Sequence, residues 1–248
     1  MGIYRLAFKR IRWLVPGVLV VVFIGLFINC GGDESETTNK TGSLAFQVQW
    51  EGTDASVSSD PSAPSAGQEA LDCDGGGVYW VNAIIYDRIN QYITESDPWH
   101  CYAHTGILDI PAGSDRKIVI FGKNANNEIL YRGQKSHINV AENRITDAGL
   151  IVAHYFVPTG GDSTLCDVYP YADYSWQAVK SATSYEFQFA ADESFASLKV
   201  NMIVEDPETG CFYFDGAYGA TYYWRVRAID FDGFKSAWSQ TWSLIWAW

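Results

Sequence analysis

Thr221-Tyr222-Tyr223-Trp224-Arg225-Val226-Arg227-Ala228 is the stretch whose reading decides the fold. Tyr222, Trp224, Val226 and Ala228 fall on one side of an extended chain, and Tyr223, Arg225 and Arg227 fall on the other. A period of two, with the large apolar groups on one side, is the pattern of a sandwich strand with one face in a core. Upstream stand Tyr174-Ser175-Trp176-Gln177-Ala178-Val179, then Ala182-Thr183-Ser184-Tyr185-Glu186-Phe187-Gln188-Phe189-Ala190, then Asp192-Glu193-Ser194-Phe195. Downstream stands Asp232-Gly233-Phe234-Lys235-Ser236-Ala237-Trp238-Ser239. In the terminal Trp242-Ser243-Leu244-Ile245-Trp246-Ala247-Trp248, alternation puts Trp242, Leu244, Trp246 and Trp248 on one core-facing side.

In this order the segments resemble a fibronectin type III domain. The likeness runs through Trp176, the turn from Ala182 to Tyr185 into a strand, the Tyr-Tyr-Trp-Arg-Val-Arg-Ala strand, and Ser-x-Trp-Ser ahead of the last strand. It implies a β-sandwich over residues 165–248.

Strand signals recur through the preceding half. In Leu44-Ala45-Phe46-Gln47-Val48-Gln49-Trp50 the large apolar residues alternate with small or polar ones. Val78-Tyr79-Trp80-Val81-Asn82-Ala83-Ile84-Ile85-Tyr86 is rich in aromatic and β-branched side chains. A turn over 87–91, a return strand from Tyr92, and strands over 117–122, 129–133, 137–140 and 148–156 follow. Pro111-Ala112-Gly113 and Asn124-Ala125-Asn126-Asn127 are turn chemistry. Residues 52–70, rich in Ser, Ala, Pro, Gly and Asp, read as a long loop. The stretch over 108–157 resembles prealbumin-like or carboxypeptidase-regulatory-like sandwiches of bacterial surface proteins. That likeness implies a second β-sandwich, over residues 43–157, with a Gly/Pro-rich linker at 158–164. No segment beyond the first thirty residues shows helical period. The expected fold is all-β, two β-sandwich domains in tandem after an N-terminal signal or anchor.

Residues 1–12 carry Arg5, Lys9, Arg10 and Arg12 and no acid, and residues 13–28 carry no charge. A basic segment followed by a short apolar run is a secretory signal. The run is shorter than the roughly 20 residues of a spanning helix, and Pro16 works against a straight one. Its end, Phe27-Ile28-Asn29-Cys30, resembles a bacterial lipobox, from whose usual pattern Asn29 departs most. The resemblance implies a signal peptide over 1–29, cleavage before a diacylated Cys30, and a tether over 30–42. An uncleaved N-terminal anchor is the alternative reading of the same run. Each buried CH₂ of an acyl chain is worth about 0.8 kcal/mol, so several chains on one cysteine would hold firmly.

The 248 residues carry a formal net charge of −12. Such a surface repels phosphate backbones, which argues against nucleic acid as a partner. With Cys30 acylated, Cys73, Cys101, Cys166 and Cys211 remain, and four cysteines allow three pairings. The domain boundary favours Cys73–Cys101 and Cys166–Cys211, one bridge per sandwich.

Three groups of residues invite a site. His100-Cys101-Tyr102-Ala103-His104 has zinc-ligand chemistry, but its spacing of four suits a helix and its neighbours read as strand and loop. Asp72-Cys73-Asp74-Gly75-Gly76-Gly77 and Asp230-Phe231-Asp232-Gly233 gather acids beside glycine, as calcium loops do, yet neither matches an EF-hand loop. A solvated turn is the plainer reading of both. The 10 Trp, 15 Tyr and 13 Phe are mostly core, and those left exposed could stack on sugar rings. No nucleophile elbow, phosphate loop or zincin motif is present. The expectation is therefore a non-enzymatic chain with no metal and no cofactor. It is a lipid-anchored binding or spacer protein of the bacterial cell envelope, facing periplasm or exterior, with an unidentified protein or glycan ligand. The alternative is a carbohydrate-binding accessory of a polysaccharide-processing system. Open edge strands are the expected partner surfaces.

Overall fold

The computed structural model describes residues 40–51, 77–167, 171–213 and 216–246. The expected signal peptide, Cys30, the tether up to residue 39, the loop over 52–70, Cys73 and Trp248 lie outside the described residues. All regular structure among the described residues is β.

Eight strands form the first sheet: β1 (Thr41–Trp50), β2 (Trp80–Tyr86), β3 (Tyr92–Glu95), β4 (Trp99–His100), β5 (Thr105–Pro111), β6 (Gly113–Lys123), β7 (Ile129–Val140) and β8 (Ile145–Tyr155). Their order is β3-β2-β6-β7-β8-β1-β5, with β4 also on β2. Strands β1 and β8 are parallel and the other pairs antiparallel. The alternation of β1 is realised in full: Leu44, Phe46, Val48 and Trp50 are buried. They share a core with Val81, Ala83 and Ile85 of β2 and with Ile118 and Ile120 of β6. Strands from both ends of the path thus line one core. The sheet folds over on itself into a sandwich, and its end strands β3 and β5 meet.

One expectation needs correcting here. The segments 129–133 and 137–140 are one strand, β7. His137 takes a left-handed φ of 61° opposite Asp115 at 58°, its Nδ1 lies 2.7 Å from Asp115 Oδ1, and the register slips around this pair. The bulge breaks the side-chain period and so hides the continuity. Strand β5 alternates, with Ile110 buried, Leu108 packed against the first core and Ile107 exposed.

The second sandwich has two sheets. One is β13-β10-β9, from β9 (Asp162–Leu165), β10 (Tyr171–Ser175) and β13 (Phe212–Tyr213). The other is β12-β11-β14-β15, from β11 (Ala182–Ala190), β12 (Leu198–Val204), β14 (Thr221–Asp230) and β15 (Trp242–Ile245). Three strands packed on four is the fibronectin type III-like arrangement. Tyr222, Trp224, Val226 and Ala228 of β14 point into its core, joined by Tyr174, Trp176, Phe187 and Trp246. Tyr222 Oη accepts a 2.8 Å hydrogen bond from Ala217 N, a tyrosine corner at the start of β14. The Ser-x-Trp-Ser stretch follows β14: Ser236 and Ser239 hydroxyls accept from Ala228 N and Val226 N, each at 3.0 Å. The Trp238 ring carries the Arg225 and Arg227 guanidiniums at 4.3 Å. Cys166 and Cys211 are bonded to each other, Cα atoms 6.2 Å apart, tying the end of β9 to the start of β13.

The two sandwiches are fused through an apolar contact. Strands β2 and β6 are buried on both faces. Ile84, Tyr86, Val119 and Phe121 turn away from the first core and pack with the second. An apolar run without alternation is what such a strand requires. Strand β9 begins at Asp162, inside the stretch read as linker, so the connection is short. Phe156 and Val157 are buried, and Gln177 N donates to Thr159 O at 2.8 Å.

Candidate functional site

The junction between the sandwiches holds a layer of buried charge. Arg132 Nε of β7 lies 2.6 Å from Asp230 Oδ2 of β14, with side-chain exposures of 3% and 0%. Arg132 Nη1 also donates to Gln134 Oε1 at 3.0 Å. Lys117 of β6 pairs with Asp232 at 3.3 Å and sits 4.2 Å above the Tyr86 ring. Burial, and then the nearby Asp232 and Asp230 carboxylates, push the Tyr86 phenol up to about 12. Asp230 Oδ1 meanwhile accepts from Phe234 N at 2.8 Å, closing the β14 turn. The Asp230-Phe231-Asp232-Gly233 stretch is therefore neither a calcium loop nor a solvated turn. Its acids face inward, onto cations from the other sandwich, while Phe231 at the tip is exposed. The sequence could not show this, because Arg132 lies 98 positions away.

Beside this layer, Lys180 Nζ lies 2.6 Å from His154 Nε2, and His154 Nδ1 lies 2.7 Å from Glu51 Oε2. An ammonium can only donate. Nε2 is therefore the acceptor, and Nδ1 carries the proton donated to Glu51, an assignment fixed by the partners. His154 stands directly opposite Arg132 on the adjacent strand.

A second feature lies farther along β2. Tyr79, Trp80, His100 and Tyr102 form an interlocked aromatic ledge. His100 and Tyr102 stack at 4.6 Å and 15°. Trp80 meets His100 edge-on at 5.6 Å, and Tyr79 stands edge-on to both Trp80 and His100 at 5.0 Å. Trp80 pairs across the sheet with His100 on one side and Lys123 on the other. Next on the same face of β2 is Asn82, whose Nδ2 donates to Glu95 Oε1 at 2.5 Å. Asn82 is 2% exposed, and its Oδ1 has no hydrogen-bond partner among the described residues. Burial lowers the Lys123 pKa, opposed in part by Glu95. On the opposite side of β4, Trp99 packs on Phe46 and walls a groove of about 400 Å³ toward Thr105 and Gly106 of β5.

The residues of the 100–104 stretch are engaged otherwise than as metal ligands. Cys101 is fully buried and disulfide-bonded, so it offers no thiolate; its expected partner Cys73 lies outside the described residues. His100 is committed to ring packing. Among the described residues no three His, Cys, Asp or Glu side chains converge as metal ligands. The acidic stretch over 72–76 lies outside the described residues. Trp242, Leu244 and Trp246 do face the second core. Elsewhere, Glu186 is held below the usual carboxylate range. Burial alone would raise it, but hydrogen bonds from Lys235 and Arg227 outweigh that.

No protein-family model matches the chain, and no curated protein does. Similar solved structures are fibronectin type III domains. The sixth such domain of human fibronectin type III domain containing protein 3 is 18% identical over 37% of this chain and 84% of its own, with a TM-score of 0.31. A two-domain fibronectin type III segment of chicken tenascin is 12% identical over 67% of this chain and 83% of its own, with a TM-score of 0.33. The FN1–FN3 domains of chicken CNTN1 are 13% identical over 70% of this chain and 55% of their own, with a TM-score of 0.32.

Proposed function

We propose that this chain is a non-catalytic binding and spacer lipoprotein of a bacterial cell envelope. Residues 1–29 are removed, Cys30 carries the lipid, and a prealbumin-like sandwich and a fibronectin type III-like sandwich are displayed for adhesion or protein–protein interaction. Fibronectin type III-like sandwiches commonly serve as binding modules rather than catalysts, which is an argument from fold class.

The observation that carries the reading is the fused junction. Default contacts between tandem domains are polar and permit relative motion. Here β2 and β6 are buried on both faces, and Arg132 and Asp230 pair across the contact. Such a body holds the surfaces of its two sandwiches at a fixed orientation to each other, which suits a spacer or adhesive display.

The test is expression of the full chain in a bacterial host fed an alkyne fatty acid, followed by intact mass of the membrane fraction. The expected outcome is a mature chain beginning at acylated Cys30, with Cys30→Ala unlabelled and released from the membrane. Unmodified Cys30 still joined to Met1 would overturn the lipoprotein reading.

A further inference from the structure

We propose that the aromatic ledge of Tyr79, Trp80, His100 and Tyr102 is a binding site for an uncharged glycan, with Lys123 and Glu95 as its polar flank. The inference deepens the binding role proposed above and rests on it.

The ring geometry sets the shape. His100 and Tyr102 stack face to face at 4.6 Å and 15°, so each covers one face of the other, and Tyr102, 55% exposed, is the open layer of the pair. Trp80 and Tyr79 stand at 69° and 61° to His100. The result is a shelf with an upright wall. A pyranose ring has an apolar C–H face that would lie on such a shelf, and a rim of hydroxyls that would reach past it.

The flank supplies partners for the rim. Lys123 is a donor and Glu95 an acceptor, and buried Asn82 holds the Glu95 carboxylate through Nδ2. Hydroxyls both donate and accept, so a polyol can satisfy this mixed set. An anion would face Glu95 and a chain of net charge −12, which disfavours acidic polymers.

The site is also pre-organised. Cys101, between His100 and Tyr102, is fully buried and disulfide-bonded. Trp99 Nε1 donates to Ala103 O at 3.3 Å, and Trp80 is paired in register with His100. Rings already fixed lose little freedom when a ligand arrives. The sheet face continues from the ledge to Ile84 and Tyr86 under the second sandwich. The ledge thus adjoins the junction between sandwiches, where ligand sites concentrate.

The experiment is calorimetry and tryptophan fluorescence on the purified full chain in detergent. The probes are neutral hexasaccharides of β-1,4-glucan, β-1,4-mannan, β-1,4-xylan and α-1,4-glucan, beside a decaproline peptide and an oligogalacturonate. At least one neutral hexasaccharide is expected to bind with Kd below about 1 mM and to shift tryptophan emission. Tyr102→Ala should weaken that binding about tenfold with an unchanged melting temperature, and Lys123→Gln should weaken it independently. Binding of no neutral hexasaccharide overturns the proposal. So does binding that neither variant changes, or binding of decaproline or oligogalacturonate alone. The readout uses purified chain, so a failure here leaves the tethering through Cys30 intact, and an unmodified Cys30 leaves glycan binding intact.

Discussion

Arg132→Met is the sharpest probe of the junction. The substitution keeps much of the aliphatic stem but removes the guanidinium 2.6 Å from Asp230. Asp230 is then a carboxylate with 0% side-chain exposure and no facing cation at that distance. It retains only the hydrogen bond from Phe234 N. Breaking a buried pair by removing one partner typically costs about 3–5 kcal/mol, because the remaining charge stays desolvated. For a domain of this size each kcal/mol shifts the melting temperature by about 2–4 °C. The expected loss is therefore about 6–20 °C.

The double variant Arg132→Met/Asp230→Leu removes both charges. It sacrifices the turn hydrogen bond, worth about 1 kcal/mol, but leaves neither of the two charges behind. It should lose less than the sum of the single changes, with a coupling of at least about 2 kcal/mol. The assay is urea and thermal unfolding of wild type, both single variants and the double, read by tryptophan fluorescence. Proteolysis at the connector between β8 and β9 adds a local readout, and cleavage should quicken in Arg132→Met. A melting shift under about 3 °C for Arg132→Met, or additivity of the two changes, would refute the view that this pair holds the sandwiches together.

Two further outcomes follow from the second sandwich. Glu186 has its pKa held below the ordinary value of 4.5, so its pairing with Arg227 and Lys235 stabilises the fold above that pH. The contribution should fade as pH falls through the depressed folded value. Melting curves from pH 7 to 2.5 should show Glu186→Gln less stable at neutral pH and flatter in acid, whereas parallel curves would remove the pairing from the account. The Cys166–Cys211 bridge spans 45 residues, for which loop entropy predicts about 4 kcal/mol as an upper guide. Cys166→Ser/Cys211→Ser should lower the urea midpoint accordingly, and a change below about 1 kcal/mol would locate the stability in the apolar core instead.

What was legible in the sequence was whatever one strand records by itself. Leu44-x-Phe46-x-Val48-x-Trp50 and Tyr222-x-Trp224-x-Val226-x-Ala228 each state their inward face, and both faces are buried as read. The unbroken apolar stretch at Ile84-Ile85-Tyr86 and Ile118-Val119-Ile120-Phe121 marks strands covered on both sides, yet nothing in it names the cover. The cover is the second sandwich, and the charges at that contact come from positions 98 apart. For the same reason Asp230 and Asp232 looked like a solvated turn: local composition was all the sequence offered. Strand β7 was lost to a different cause, since one left-handed residue at His137 resets the side-chain period on which strand reading depends.

The ledge shows how residues can be quoted from a sequence and their role still be hidden. In His100-Cys101-Tyr102-Ala103-His104 the residue types suit zinc and the spacing does not, and neither says where the side chains point. In the turn that follows β4 they diverge: Cys101 goes to the buried side, while His100 and Tyr102 stack on each other. Strand β2 then links this surface to the junction. Trp80 and Asn82 at its start share a face with Ile84 and Tyr86 at its end, as the pairing with Lys123, Phe121, Val119 and Lys117 of β6 shows. The ledge is the uncovered continuation of the face on which the second sandwich sits. Strand β2 therefore belongs to both surfaces, the junction at its end and the ledge at its start.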